Sequence, residues 1–164
     1  MTILTVDDDG YLPATPLPTV VQLADVYDSF VDGAPNRQAR DRIYRALAMH
    51  LDMLTAEFGP ARTWIGGDFI SRSMTPPEHV EVVYICRTVA DFLRNLKKAR
   101  FDRVLSLRSV IVGHPRLIGV EDLHPVSGLV HTDQIRPEKL PFEYERLGHI
   151  PNLGRAVGFV EVHL

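Results

Sequence analysis

The chain has 164 residues, of which 45% are hydrophobic and 24% are charged, and its formal net charge is -3 at pH 7. This length predicts one compact domain, because it is enough to bury one sizeable core and short for two. The negative charge excludes a general attraction to nucleic acid or to an anionic membrane, so such binding would need a local basic surface.

The composition also points to a compartment. Mean hydropathy is -0.03, and no apolar run approaches the length of a membrane span. The acidic, proline-rich N-terminus lacks the basic start and apolar core of a secretory signal. The single cysteine, Cys86, excludes an internal disulfide and a cysteine-based zinc knuckle. These features predict a cytoplasmic protein that does not bind membranes.

The first half of the chain predicts an arm followed by helices. Proline-rich residues 1–18 predict an extended N-terminal arm, and residues 19–164 the single domain. Thr19 predicts the cap of a short amphipathic helix. Asn36 is expected to cap a longer helix, whose apolar positions recur at helical spacing until Gly59 ends it.

Strand patterns dominate the middle of the chain. A short strand is expected at 62–65, then a turn at Gly66 and Gly67, then a strand rich in β-branched residues at 80–85. The stretch RSVIVGHPRLIGVEDLHPVSGLV, residues 108–130, predicts extended pieces interrupted by Pro115 and Pro125. The closing AVGFVEVHL alternates as a strand does.

A basic helix is predicted over residues 88–100, with Thr88 as its cap. Its apolar face would carry Phe92, Leu93 and Leu96. Its basic positions are Arg94, Lys97 and Lys98. We interpret these cations mainly as a solvated helix face, and the alternative is a surface that contacts phosphate.

The glycine turn and the strand after it have a chemical logic. Glycine lets main-chain N–H groups approach an anion such as a triphosphate, because no side chain stands in the way. His79 and Glu81 lie two residues apart on a strand and therefore point to the same face. Paired carboxylates at such positions hold magnesium ions against a triphosphate in metal-dependent phosphoryl and nucleotidyl transfer.

This pattern resembles a known signature. Ile65-Gly66-Gly67, a gap, and His79-Val80-Glu81-Val82 are similar to the motif of the polymerase-beta-like nucleotidyltransferase superfamily. The chain also resembles a bacterial and phage family of that fold, whose members have a Gly-Tyr-Leu-Pro arm, a Trp-x-x-Gly-Ser-Phe motif, a Pro-x-Asp-x-Asp motif and a final Gly-apolar-Val strand. The corresponding residues here are Gly10 to Pro13, Trp64, Gly67, Phe69, Pro77 and Gly158 to Val160. The resemblance implies an α/β (α+β) fold, with a mixed sheet and helices mainly on one face.

The departures from the motif bear on activity. Asp68 stands where the family has a phosphate-contacting serine, and it would repel a phosphate. His79 and Glu81 replace the two aspartates, and a histidine nitrogen suits zinc, manganese or iron better than magnesium. The resemblance implies a third carboxylate from a later strand, for which we prefer Asp122 over Glu121.

Each of these residues also has a plain interpretation. His79 fits a histidine at the start of a strand with a satisfied ring, and Glu81 fits either a cavity or a solvated sheet face. Three histidines, His114, His124 and His131, lie close to acids in the sequence, but their spacing fits no compact metal motif.

We therefore predict a nucleotidyltransferase-like protein whose phosphate site (Gly66, Gly67, Asp68) and metal site are degenerate. Such a pseudoenzyme would need no cofactor and would bind a nucleotide, an RNA or a protein partner, without sequence-specific DNA binding. Analogy alone suggests phage–host conflict or a toxin–antitoxin pair.

Two alternatives remain. One is an active nucleotidyltransferase using a nucleoside triphosphate, with Glu81 and Asp122 catalytic and a divalent metal (magnesium or manganese) bound by His79, Glu81 and Asp122. The other is a structural or assembly protein.

Overall fold

The computed structural model describes residues 4–98 and 129–164. In these ranges a five-stranded mixed sheet carries four helices. The elements in chain order are β1 (Thr19–Val20), α1 (Leu23–Phe30), α2 (Arg37–Phe58), β2 (Arg62–Gly66), β3 (Val80–Ile85), α3 (Val89–Leu96), β4 (Val130–Ile135), a 3-10 turn (Pro137–Lys139), α4 (Leu140–Leu147) and β5 (Val160–His163).

The strands are arranged in the order β1-β5-β2-β3-β4. β2 runs antiparallel to both of its neighbours, β3 and β5, whereas β1 pairs with β5 and β4 pairs with β3 in parallel. The predicted mixed sheet is thus confirmed. Because β2 alone runs in the opposite direction, the carboxyl ends of β3, β4 and β5 lie at one end of the sheet and the carboxyl end of β2 lies at the other.

The described helices lie mainly on one face, as expected. Val82 and Ile65 face the main core, which buries apolar side chains of α1 and α2 and against which Phe92 of α3 packs. The opposite face carries a smaller cluster around Trp64 and Val83, closed by Leu147 of α4. The alternation of side chains along β2 and β3 separates the two clusters.

The long helix α2 forms as its pattern predicts. Ile43, Leu47, Leu51 and Leu54 are buried along one side, and Gly59 ends the helix with a φ of 91°, which glycine adopts without strain. The start of the helix is where it was expected, with Asn36 at the N-cap position, but Asn36 is left-handed and its side chain makes no cap hydrogen bond. Its amide donates instead to the carbonyl of Met74.

The expectation that a helix starts at Thr19 was wrong. Thr19 and Val20 form the edge strand β1 along β5, because this part of the chain has a sheet partner that the sequence does not reveal. The helix begins at Leu23, where the carboxylate of Asp25 accepts the N–H of Gln22.

The N-terminal arm is extended but packed onto the domain. Leu4 and Leu12 are buried in the main core, and the N–H of Gly158 donates to the carbonyl of Leu12. The arm is therefore part of the fold rather than a tail outside it.

The helix predicted over 88–100 is shorter than expected. Thr88 caps it as predicted, accepting the N–H of Asp91, but α3 ends at Leu96. In the described ranges, no helix combines the length and the apolar composition that a membrane span needs.

Candidate functional site

A cleft of about 250 Å³ opens at the end of the sheet where β2 finishes and β3 begins. Its walls include the predicted site residues Gly67, Asp68, His79 and Glu81. His149, from the loop after α4, closes the other side. The fold therefore brings the predicted glycine turn and the predicted strand positions to one place.

The two glycines of the turn have different roles. Gly67 has a φ of 80°, which only glycine adopts readily, and a Cβ there would lie 3.4 Å from Cγ of Glu81. A Cβ on Gly66 would lie 3.0 Å from Cδ2 of Leu147. Gly66 thus makes room for helix α4, and Gly67 makes the turn.

Two buried or half-buried arginines hold the loop after the turn. Arg40 is wholly buried and donates to the carbonyls of Phe69 and Phe30, among others. Arg72 donates to the carbonyls of Ser29 and Gly33. Burial, and then repulsion from Arg72, lower the pKa of Arg40 to about 10. These bonds tie the cleft wall to the C-terminal end of α1.

His79 and Glu81 share a face, as their spacing predicts, and Nε2 of His79 lies 3.9 Å from Oε1 of Glu81. His79 also stacks on His131 of β4, with ring centroids 4.0 Å apart and planes inclined by 25°. The register of β3 and β4 causes this contact, because it places His131 directly beside Glu81. Burial, and then the neighbouring His79, lower the pKa of His131.

A guanidinium group neutralises Glu81. Nη1 of Arg146, from α4, lies 2.5 Å from Oε2 of Glu81, and its Nε donates to Glu143 over 2.6 Å. Asp133 of β4 is 3.8 Å from Nη2 and largely exposed, so its contribution is small. Burial alone would lower the pKa of Arg146, but the two glutamates raise it.

The residues that the structure describes do not fit a divalent-metal site. Among them, no three His, Cys, Asp or Glu side chains converge as a metal ion requires. Imidazole lone pairs lie in the ring plane, so two nearly parallel stacked rings do not point at one ion. The expected third ligand, Asp122 or Glu121, lies outside the described residues.

Asp68 is exposed on the cleft wall. Its main-chain carbonyl accepts the hydroxyl of Ser71, which closes the turn that follows. Its carboxylate adds negative charge to a wall that also carries Glu78 and Glu81.

The predicted basic surface on α3 is partly committed to other contacts. Arg94 forms an ion pair with Asp91 at 2.6 Å. The ammonium of Lys98 donates to the carbonyl of Glu57 and lies 5.1 Å from the centre of the Phe58 ring. Lys97 is exposed.

Sequence reasoning missed Arg146 and Glu143 and dismissed His131. The sequence could have indicated His131, because any strand that pairs with β3 presents every second side chain to the face that carries Glu81. No signal pointed to Arg146, which is 65 positions from Glu81 in the chain.

The comparisons with known proteins are consistent with a single family. The model of DUF6932, a family of unknown function, matches residues 4–118, which is more than half of the chain. The chain belongs to this family. The curated proteins and the solved structures give no match. The description of DUF6932 names no activity, so the nucleotidyltransferase resemblance stays a prediction.

Proposed function

We propose that this DUF6932 protein is a nucleotidyltransferase-like protein that does no nucleotidyl transfer and uses the cleft beside Gly67 to bind a protein partner. The observation that carries the proposal is the guanidinium of Arg146 on Glu81. In a working enzyme of the resembled kind, that carboxylate would hold a metal ion. Here the positive charge beside Glu81 comes from the side chain of Arg146 instead of a metal ion.

The charge of the cleft favours a cationic ligand over a phosphate. Its wall carries three carboxylates and no lysine or arginine among the described lining residues. Arg146 neutralises Glu81 from behind the wall, so Asp68 and Glu78 supply the net negative charge. A triphosphate or an RNA backbone would be repelled by this wall. A lysine or arginine of a partner would be attracted to it.

The size of the cleft also favours a basic side chain over a nucleotide. Its volume of about 250 Å³ is below the roughly 300–1,000 Å³ typical of small-molecule sites. A nucleoside triphosphate would not be enclosed, whereas one long basic side chain would. A cytoplasmic location belongs to the same proposal and rests on the sequence features. A role in phage–host conflict or a toxin–antitoxin pair rests on analogy alone.

The first experiment tests the loss of chemistry. We expect wild type to bind none of the four nucleoside triphosphates with magnesium at micromolar concentrations in calorimetry, and to show no transfer of labelled nucleotide. Magnesium-dependent transfer by wild type that is lost on Glu81→Gln would show that the protein is an enzyme.

The second experiment tests the role of Arg146. Replacing it by glutamine leaves Glu81 and Glu143 without their cation, so Arg146→Gln should gain manganese binding that wild type lacks. Arg45→Gln removes an exposed arginine of α2 and is the matched control. Manganese binding equal in wild type and Arg146→Gln would contradict the idea that the guanidinium replaces a metal.

The third experiment tests the ligand. A labelled lysine-rich peptide should bind wild type more tightly than labelled single-stranded RNA in fluorescence anisotropy at the same salt concentration. Asp68→Asn with Glu78→Gln should weaken the peptide about tenfold or more, and Asp41→Asn on α2 should not. Tighter binding of RNA than of peptide would favour the RNA hypothesis instead.

A further inference from the structure

A second cleft lies at the opposite end of the sheet, where β3 and β5 finish. Its volume is about 540 Å³, within the range of about 300–1,000 Å³ that small-molecule sites occupy. Ligands of open sheets commonly bind outside the carboxyl ends of parallel strands. This cleft lies at the carboxyl ends of β3 and β5, which are parallel to each other but separated by the antiparallel strand β2, and the cleft beside Gly67 lies at the amino end of β3.

Its walls combine cations with apolar groups. The lining residues that the argument uses are Arg62, Arg87, His163, Ile85, Pro137 and Leu140. No aspartate or glutamate is among the described lining residues. This wall is therefore basic and apolar, whereas the wall of the cleft beside Gly67 is acidic.

Arg87 supplies the net positive charge. Arg62 donates to both carboxylate oxygens of Glu161, over 2.9 and 2.7 Å, so its charge is already balanced. Arg87 follows β3, is exposed, and has no hydrogen-bond or ion-pair partner within residues 4–98 and 129–164. Arg87 is therefore the arginine of this wall whose charge is not already balanced by a carboxylate.

Glu161 fixes the rest of the wall. It is buried and accepts hydrogen bonds from Arg62 and from the indole of Trp64, and Nε2 of His163 lies 2.6 Å from its Oε1. Burial alone would raise the pKa of Glu161, but the bonds from Arg62, His163 and Trp64 lower it to about 2. The carboxylate thus stays ionised at neutral pH and holds two wall residues in place before a ligand arrives.

We infer that this cleft binds a small organic anion, with an apolar body against Leu140 and Pro137 and a carboxylate, sulfonate or phosphate head at Arg87. The apolar wall gives area to bury, and a guanidinium gives charge-assisted hydrogen bonds to an oxyanion. The site does not involve Arg146 or Glu81 and is independent of the function proposed above.

The test uses a dye of this chemistry, 1-anilinonaphthalene-8-sulfonate, titrated by fluorescence. We expect one binding site in wild type and a dissociation constant raised about tenfold or more in Arg87→Gln, since one charge-assisted contact is lost. Arg87 is exposed, so the variant should fold, which circular dichroism checks. An unchanged dissociation constant in Arg87→Gln would overturn the inference.

Two controls distinguish charge-dependent binding from nonspecific hydrophobic binding of the dye. N-phenyl-1-naphthylamine, which has the same rings without the sulfonate, should bind wild type and Arg87→Gln equally weakly. Leu93→Gln removes an exposed leucine from α3 and should leave dye binding unchanged, as should Arg45→Gln. Loss of dye binding in Leu93→Gln but not in Arg87→Gln would place the dye on α3 and refute the site.

Discussion

His50 lies wholly inside the core, on the side of α2 that faces β4. Its Nε2 is 2.5 Å from the hydroxyl of Thr132, and its Nδ1 has no partner within the described residues. Burial lowers the pKa of His50 to about 4. The folded protein therefore contains this imidazole in its neutral form at neutral pH.

Acid should destabilise the protein through this residue. Between about pH 6.5 and pH 4 the unfolded chain binds a proton at position 50 and the folded chain does not, so stability falls as the pH falls. The loss attributable to His50 is about 3 kcal/mol by pH 4. Urea unfolding from pH 7.5 to pH 4 measures it.

His50→Gln is the matched variant, because glutamine is neutral at every pH tested and keeps a polar group near Thr132. Its free energy of unfolding should fall less than that of wild type over the same pH range. Parallel pH profiles for the two proteins would show that His50 is not the group that titrates.

Residues of the site differ in how far the sequence could predict them. The common face of His79 and Glu81 follows from the two-residue period of a strand, and the turn at Gly67 follows from its glycine. The partner of Glu81 could not be predicted, because Arg146 reaches it only through the packing of α4 on the sheet. Local patterns give side-chain direction, whereas tertiary packing decides what neutralises a charge.

At the scale of elements, the strongest patterns gave the right structures. The helical spacing of α2 and the β-branched run of β3 are recovered at or close to the expected bounds. β4 was not predicted, because its core-facing Thr132 and Gln134 bond to His50 and Asn95 instead of packing as apolar residues. A strand that packs through polar pairs has no hydrophobic alternation to detect.

Helix α4 was missed for a different reason. Pro137 and Pro141 look like breakers in the sequence, and Pro141 in fact lies in the first turn of α4. Proline is accepted there, because the N–H groups of the first turn have no helical partner in any case. A proline therefore marks a possible start of a helix as well as an end.

The short helix α3 depends on its cap. Thr88 Oγ1 accepts the N–H of Asp91 and donates to its carboxylate. Thr88→Ala removes both contacts and should cost about 1 kcal/mol in the free energy of unfolding. Thr88→Ser keeps the hydroxyl and should cost clearly less, so equal losses in urea unfolding would argue against capping as the cause.

At the scale of the whole molecule, Gly158 is where the N-terminal arm and the C-terminal segment meet. A Cβ at this position would lie 2.5 Å from the carbonyl oxygen of Pro13 and 3.0 Å from Cβ of Leu12. Gly158→Ala should therefore push the arm away and cost about 1–3 kcal/mol, the usual range for overpacking. Urea unfolding of wild type and variant measures the loss.

The same substitution in a shortened protein tests whether the arm causes this loss of stability. In protein that lacks residues 1–13 the added methyl group meets no arm, so Gly158→Ala should cost less than about 0.5 kcal/mol there. The same loss in both backgrounds would mean that the strain lies elsewhere.

The position of β5 has a consequence for biosynthesis. Of the described strands it leaves the ribosome last, yet it lies inside the sheet, between β1 and β2. Until it is made, β1 has no hydrogen-bond partner in the sheet and β2 has one bare edge. The nascent chain must then keep these unpaired strand edges from pairing with other molecules. The final closure spans about 140 residues of sequence, which slows folding.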